Sequence, residues 1–438
     1  MGGIPIDHNR TARELTALSL DEAVFRMSDI QRRRFLLMAS AWAVIILEFS
    51  PATTAMGVYL LPMVREFHAG RAQVSIVAAA MAVASGLASP LAGWMIDRID
   101  ARIQMIAGML IIGLGYLLGS QAHSLHALVL AFAIIGVGNA LGTLIPIWVL
   151  TLSWFKERRG LAIGLAVGGI SIGFTLFPLL ASRLLVLYGW RAIMRWTIVP
   201  TLVVALPMVL AWVRSRPQGE GTEEAEAVAG VDFSSAVSSF SFVWIAVMHI
   251  SIVLGWNLFY VHLVSYLVGV GFTERVADSL LGFQAAFAII GFLGNGWLAD
   301  RLGPRGMMVI GFCIFGLSVL SLRLTSPTTV GWILMPIFMV GYSIAGGLGN
   351  FTSLIVVNAM GRRALGSILG VLNFLAFTLC QSSGPIIAGK IYDATGSYNL
   401  VFDLAGLLIV TGILATWAVY PLKGRDEARA PASAAIAT

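Results

Sequence analysis

Charge is scarce in this sequence. Only 11% of its 438 residues are Asp, Glu, Lys or Arg, and 58% are hydrophobic. A soluble domain carries about 25% charge, so water is excluded as the main solvent of this chain. Cysteine is scarcer still. Cys313 and Cys380 are the only two, and both lie inside apolar stretches. They read as packing thiols, which excludes a disulfide framework and a thiolate metal site. There is no Walker-type loop, no metal-ligand spacing and no nucleophile triad. No ATP, cofactor or metal is expected, and the chain does not read as an enzyme. A cleavable signal peptide is also not expected: residues 1–30 are polar and mixed, and the first apolar run is too long for an h-region. Two glycosylation patterns, at Asn9 and Asn350, are discounted, the first as cytoplasmic and the second as helical.

What is abundant is apolar sequence in long runs. A spanning helix needs roughly 20 apolar residues. Runs of that kind fall at roughly 35–62, 72–96, 103–121, 126–154, 160–187, 191–213, 241–270, 277–299, 306–325, 329–358, 364–390 and 398–421. The expected fold is an all-α membrane protein of about twelve spans. The net charge of +6 sits in short loops, which is topology rather than nucleic-acid binding. Arg32, Arg33, Arg34, Arg98, Arg102, Lys156, Arg158, Arg159, Arg301, Arg305, Arg362 and Arg363 fall on one side, and only sparse cations such as Arg65, Arg191 and Arg275 on the other. The rich side is expected in the cytoplasm, with both termini, in a bacterial inner membrane. Residues 1–34 are then a cytoplasmic segment, 35–213 a first six-helix bundle, 214–240 a Gly- and Glu-bearing linker, 241–421 a second bundle and 422–438 a tail. Leu15, Leu18, Ala23 and Met27 could form one face of a short surface helix, as readily as a disordered tail.

The two bundles repeat. Gly93, Trp94, Asp97, Arg98 and Arg102 recur 203 residues later as Gly296, Trp297, Asp300, Arg301 and Arg305. Such a repeat marks a two-bundle transporter. Glycine admits close helix approach. The aspartate, at a helix end, suits arginine or a helix N-terminus in the opposite half: Asp97 toward the start of span 11 near Arg362, Asp300 toward the start of span 5 near Arg159. A further glycine face, Gly160, Gly164 and Gly168, with Gly169 and Gly173 beside it, suits packing or sliding.

The run Gly296-Trp-Leu-Ala-Asp300-Arg-Leu-Gly303-Pro-Arg305 resembles the loop signature of the major facilitator superfamily; the first copy departs from it with Asp100 in place of glycine. Residues 154–173, with Tyr188-Gly189-Trp190-Arg191, resemble the monocarboxylate and oxalate/formate branch. The resemblance implies alternating access, with Asp97, Arg98, Arg102, Asp300, Arg301, Arg305, Arg159 and Arg362 as gating residues. It also implies a buried cation for a carboxylate, but Thr54 and Ile289 stand at those places.

Polar groups at membrane depth are costly, about 2.5–3.5 kcal/mol for an ionised one. Glu48, in mid-span 1, is the outstanding case. It is expected on the cavity wall facing span 7, as a proton-carrying carboxyl or a counter-ion for a cationic solute; the bland alternative is a hydrogen-bonded neutral acid. His249, His262, Asn257, Tyr260, Gln284, Asn373 and Gln381 are further candidates for proton coupling or substrate binding, each with helix-to-helix bonding or packing as its bland alternative. Three functions follow: a carrier of a small organic acid with protons, a carrier or efflux pump for a neutral or cationic amphipathic compound, and a non-transporting sensor or lipid-handling protein. The expected partners are a small-molecule substrate, protons and the lipid bilayer, on a monomer.

Overall fold

The computed structural model describes residues 30–214, 230–260 and 262–422, without the side chains of residues 71, 72, 278, 279, 281, 282, 285, 286 and 329. The amphipathic face at Leu15–Met27, most of the linker and most of the tail lie outside these residues.

Ten helices among the described residues are long and apolar enough to cross a membrane. Two of the helical runs are too long to cross once. Arg159–Trp212 has 54 residues, about 80 Å at 1.5 Å per residue, against a hydrocarbon core of about 30 Å. It reverses at Gly189, whose φ of 73° and ψ of 164° are open to glycine and strained for other residues. Glu274–Arg323 reverses in the same way at Gly303, with φ 76° and ψ 160°. The described residues therefore make twelve crossings. We number the crossings α1 (Ile30–Glu66), α2 (Arg71–Ile96), α3 (Ala101–Ser120), α4 (Leu125–Trp154), α5 (159–188) and α6 (190–212) in the first half. The second half has α7 (Phe240–Tyr260 and Leu263–Gly269), α8 (274–302), α9 (304–323), α10 (329–360), α11 (Leu365–Thr395) and α12 (Asn399–Ala418). A short helix, Phe233–Val237, capped by the Asp232 carboxylate, precedes α7.

Tyr59, Met63, Tyr116 and Phe132 belong to a buried cluster within the first half, whereas Phe312, Phe315, Phe338 and Tyr342 belong to a larger one that runs through both halves. The halves meet along α2–α11 and α5–α8. Cys380 is buried, but Cys313 is exposed on the outside of α9, so only one of the two cysteines is a packing thiol.

Several crossings are not regular helices, and proline accounts for two of the breaks. Pro51 has no N–H to give Leu47, four residues back. The preceding turn, Ile45–Phe49, widens so that Ser50 N–H reaches Ile45 O, and the freed Leu47 carbonyl takes the Thr201 hydroxyl of α6 at 3.4 Å. Pro146 likewise deprives Gly142, and α4 breaks at Thr143 (φ −114°, ψ −104°). The Thr143 hydroxyl turns back onto Asn139, 2.7 Å from its backbone oxygen and 2.8 Å from its side-chain oxygen.

Candidate translocation site and its latches

One end of the molecule, the end that carries the arginine-rich loops, is closed by two reciprocal contacts; we call it the basic face. Asp97, the residue that ends α2, accepts three hydrogen bonds from the first turn of α11. Gly366 N–H donates at 2.9 Å, Ser367 N–H at 2.8 Å and the Ser367 hydroxyl at 2.6 Å. Asp300 in α8 accepts two from the first turn of α5, Gly160 N–H at 2.7 Å and Leu161 N–H at 2.8 Å. The first N–H groups of a helix have no partner within it and sit at the positive end of its dipole. A carboxylate satisfies both at once, with charge-assisted bonds. Burial pushes the Asp97 carboxyl above its ordinary value, and the bonds from Ser367 and Gly366 offset that only in part.

The glycines let these ends meet. A Cβ on Gly93 would collide with the Gly366 carbonyl oxygen, and one on Gly296 with the Gly160 carbonyl oxygen. The face of Gly160 and Gly164 lies on α8, against Gly296 and Phe292, while Gly169 and Gly173 receive Ile45 and Ser50 of α1.

The arginines expected at the gate divide into two groups by their contacts. Arg362, just before α11, donates to Leu152 O at the end of α4, 2.6 Å away and across the halves. The described contacts of the others stay within one half. Arg98 lies over Trp94 and Arg301 over Trp297, each 4.5 Å from the ring centroid. Arg102 donates to Val213 O at 2.9 Å, tying α3 to the end of α6, and Arg305 ties α9 to Val419 beyond α12 in the same way. Arg159 bonds to Phe155 O at 3.3 Å in the adjoining loop.

The candidate site residues are spread over the depth of the bundle. Near mid-depth, Phe49, Ser85, Asn139, Thr143, Asn373 and Phe377 surround a void of about 10 Å³ between the halves, room for about one water. Asn373 was legible in the sequence. Ser85, Asn139 and Thr143 were not singled out, although an asparagine in an apolar run ahead of a helix-breaking proline is a readable signal. Glu48 is elsewhere. Successive helical residues are about 100° apart, so Phe49 facing the void turns Glu48 into the first bundle. It is 0% exposed rather than on an open wall, and neither carboxyl oxygen has a hydrogen-bond partner. Tyr116 of α3 lies within electrostatic reach of Glu48 and of Tyr59, and the Tyr116 hydroxyl is also unpartnered.

In the second half His249 bonds through Nδ1 to the Thr352 hydroxyl at 2.9 Å, beside the tight turn Gly349–Phe351 of α10. Its Nε2 has no partner. His262 precedes the helical stretch Leu263–Gly269 and contacts Pro385 O at 2.9 Å and the Tyr398 hydroxyl at 3.2 Å. Asn257 donates to Val253 O of its own helix at 2.8 Å. Tyr260 stacks on Trp256 at 4.5 Å, and Trp256 on Tyr342 at 5.4 Å. Gln284 is buried in α8, and Gln381 is half-buried at the end of the widened turn Leu375–Gln381 of α11. The structure thus brings Asn373 to the void but does not gather Glu48, His249 and His262 into one site. No group of three His, Cys, Asp or Glu among the described residues is placed to hold a metal.

Residues 35–385 match the family described as the Major Facilitator Superfamily. The chain belongs to that superfamily. It is a membrane transporter by family and not an enzyme. It is 26% identical over 362 residues to monocarboxylate transporter 13 of Rattus norvegicus, covering 82% of each chain. Its fold is similar to that of the proton:xylose symporter XylE bound to 6-bromo-6-deoxy-D-glucose (TM-score 0.73, 13% identity, 89% of this chain and 96% of that one). It is also similar to FucP in the outward conformation (TM-score 0.68, 14% identity, 89% and 100%). At these identities the solved structures speak to the fold alone.

Proposed function

We propose that this superfamily member carries a small organic acid together with protons by alternating access, with its basic face in the cytoplasm. The observation that carries the reading is the pair of latches. Asp97 and Asp300 each hold the start of a helix in the opposite half, so they act on the equilibrium between closed and open states and do not touch the solute. In this orientation the structure is the form closed toward the cytoplasm. The named likeness to monocarboxylate transporter 13 supports an acid as cargo.

Thr54, where a cation would hold a carboxylate, spends its hydroxyl on Ser50 O at 2.8 Å. An acid that travels with its proton needs no buried cation. Glu48, enclosed and unpartnered, is proposed as the group that binds the proton on one side and releases it on the other as solvation changes. A second reading is favoured by the aromatic stack Tyr260–Trp256–Tyr342: such a wall suits a neutral or cationic amphipathic compound.

Glu48→Gln separates the two. It keeps the size of the side chain but does not titrate. On the first reading, proteoliposomes with the variant exchange labelled solute at close to the wild-type rate and lose accumulation driven by a pH gradient. Loss of solute binding at every pH favours the second reading. Unchanged pH dependence and affinity would leave Glu48 a structural group and remove the proton-coupling proposal.

A further inference from the structure

The second half carries a pocket that the transport reading does not use. It measures about 420 Å³, within the roughly 300–1,000 Å³ of small-molecule sites, and opens on the basic face. Its walls are the α8–α9 reversal at Leu302, Gly303 and Pro304, the last turns of α10 at Ile355, Asn358 and Ala359, and Val419 and Pro421 after α12. Arg305 stands among them.

The first half shows why the space exists. At its matching corner Trp154 ends α4, is 3% exposed and donates its indole N–H to Arg214 O at 2.8 Å. The corresponding stretch of α10, residues 352–360, has no aromatic residue. The arginine tie is repeated, Arg102 to Val213 and Arg305 to Val419, but the aromatic seal is not.

The chemistry of the lining is one-sided. A guanidinium has five N–H donors, and Arg305 spends one described bond, on Val419 O. Asn358 is exposed and adds an amide. No carboxylate among the described residues lines the pocket; the nearby Asp300 has both oxygens bonded to the start of α5. The remaining walls are apolar. Trp297, Trp417 and Tyr420, 50%, 72% and 45% exposed, lie toward the same end, as aromatic side chains do at a membrane–water interface. We propose that this pocket binds an amphipathic anion, with a phosphate or carboxylate head at Arg305 and Asn358 and an apolar part against Leu302, Ile355 and Pro421. The source is either an anionic lipid of the adjoining leaflet or a soluble amphiphile. One wall is the loop that follows Asp300, and another is the helix end that leads to Arg362 and α11. An occupant therefore braces both latches and favours the form closed at the basic face.

The test uses the full-length protein in phosphatidylcholine nanodiscs and reads thermal unfolding. Hexyl phosphate is added in one arm, and phosphatidylglycerol replaces a third of the lipid in the other. The expected result is a rise of about 3 °C in at least one arm. Response to hexyl phosphate assigns a soluble amphiphile, and response to phosphatidylglycerol alone assigns a lipid. Asn358→Trp fills the pocket from an exposed position and should abolish the rise while leaving the unliganded melt in place. Arg305→Lys keeps the charge without the planar fork and should reduce the rise. No rise in either arm, or an equal rise with Asn358→Trp, overturns the proposal.

Discussion

The two halves agree at the basic face and part company at mid-depth. At the face, Asp97 and Asp300, Arg98 and Arg301, and Arg102 and Arg305 make the same kinds of contact in each half. Deeper in, the first half buries Glu48 within electrostatic reach of Tyr116, while the residue 203 positions on is Ser251, and the second half has instead His249 and a ladder of aromatic rings. The repeated part holds helix ends together in the same way on both sides of the pseudo-twofold. On the proposed reading the unrepeated part meets solute and proton, which have no such symmetry, so that motion is encoded twice and chemistry once.

The strongest way to break this comparison is to block closure from either side. Gly93→Val and Gly296→Val each drive a side chain into a backbone carbonyl of the facing half, and backbone does not yield as a side chain tip does. The cost falls on the closed form, more than about 3 kcal/mol, or roughly 100-fold in population. Both variants should abolish net transport, and a cysteine placed at Ile289 should become open to labelling from the basic face. If one variant is silent and the other is not, the halves are not equivalent in gating.

A smaller effect ranks the two latches. Each bond to a charged group contributes about 1.5–3 kcal/mol. Asp97→Asn should slow transport roughly 10- to 100-fold with solute affinity nearly unchanged, because the residue biases the equilibrium and not the site. Asp300→Asn should slow it less, by the weight of the Ser367 hydroxyl bond that only Asp97 receives, about tenfold at the lower end of that range. Ser367→Ala should bring the two aspartate variants level. Loss of affinity with normal turnover would place these aspartates in the binding site instead.

Much of this was legible in sequence, and for physical reasons. Twelve crossings follow from apolar length, and Gly189 and Gly303 reverse the chain where the loops between spans were expected. The pairing of Asp97 with the start of α11 followed from pseudo-symmetry and the unpaired N–H groups of a helix start. The side on which Glu48 falls was not legible. It depends on helical phase near a widened turn, and one residue of phase moves a side chain by about 100°. The small void was hidden for a related reason: Ser85, Asn139 and Asn373 lie on three helices, and their meeting depends on the break at Thr143. Periodicity marks faces within one helix and says nothing of which polar face meets which.

The smallest effect separates holding from gating. Arg102 and Arg305 resemble gate residues in sequence, yet each closes on a carbonyl of its own half. Arg362 closes on Leu152 O of the other half. Removing an intra-half tie weakens the open and the closed form alike, so the equilibrium between them stays put. Arg102→Ala should then lower thermal stability by about 1 kcal/mol and leave the transport rate of the folded protein within about twofold. Arg362→Ala should do the reverse, with a small change in melting and a slower cycle, because its bond exists only while the basic face is closed. Measuring unfolding and transport on the same two preparations decides the matter. If Arg102→Ala slows transport as much as Arg362→Ala at equal stability loss, the distinction between tie and latch fails, and the repeated arginines belong to the gate after all.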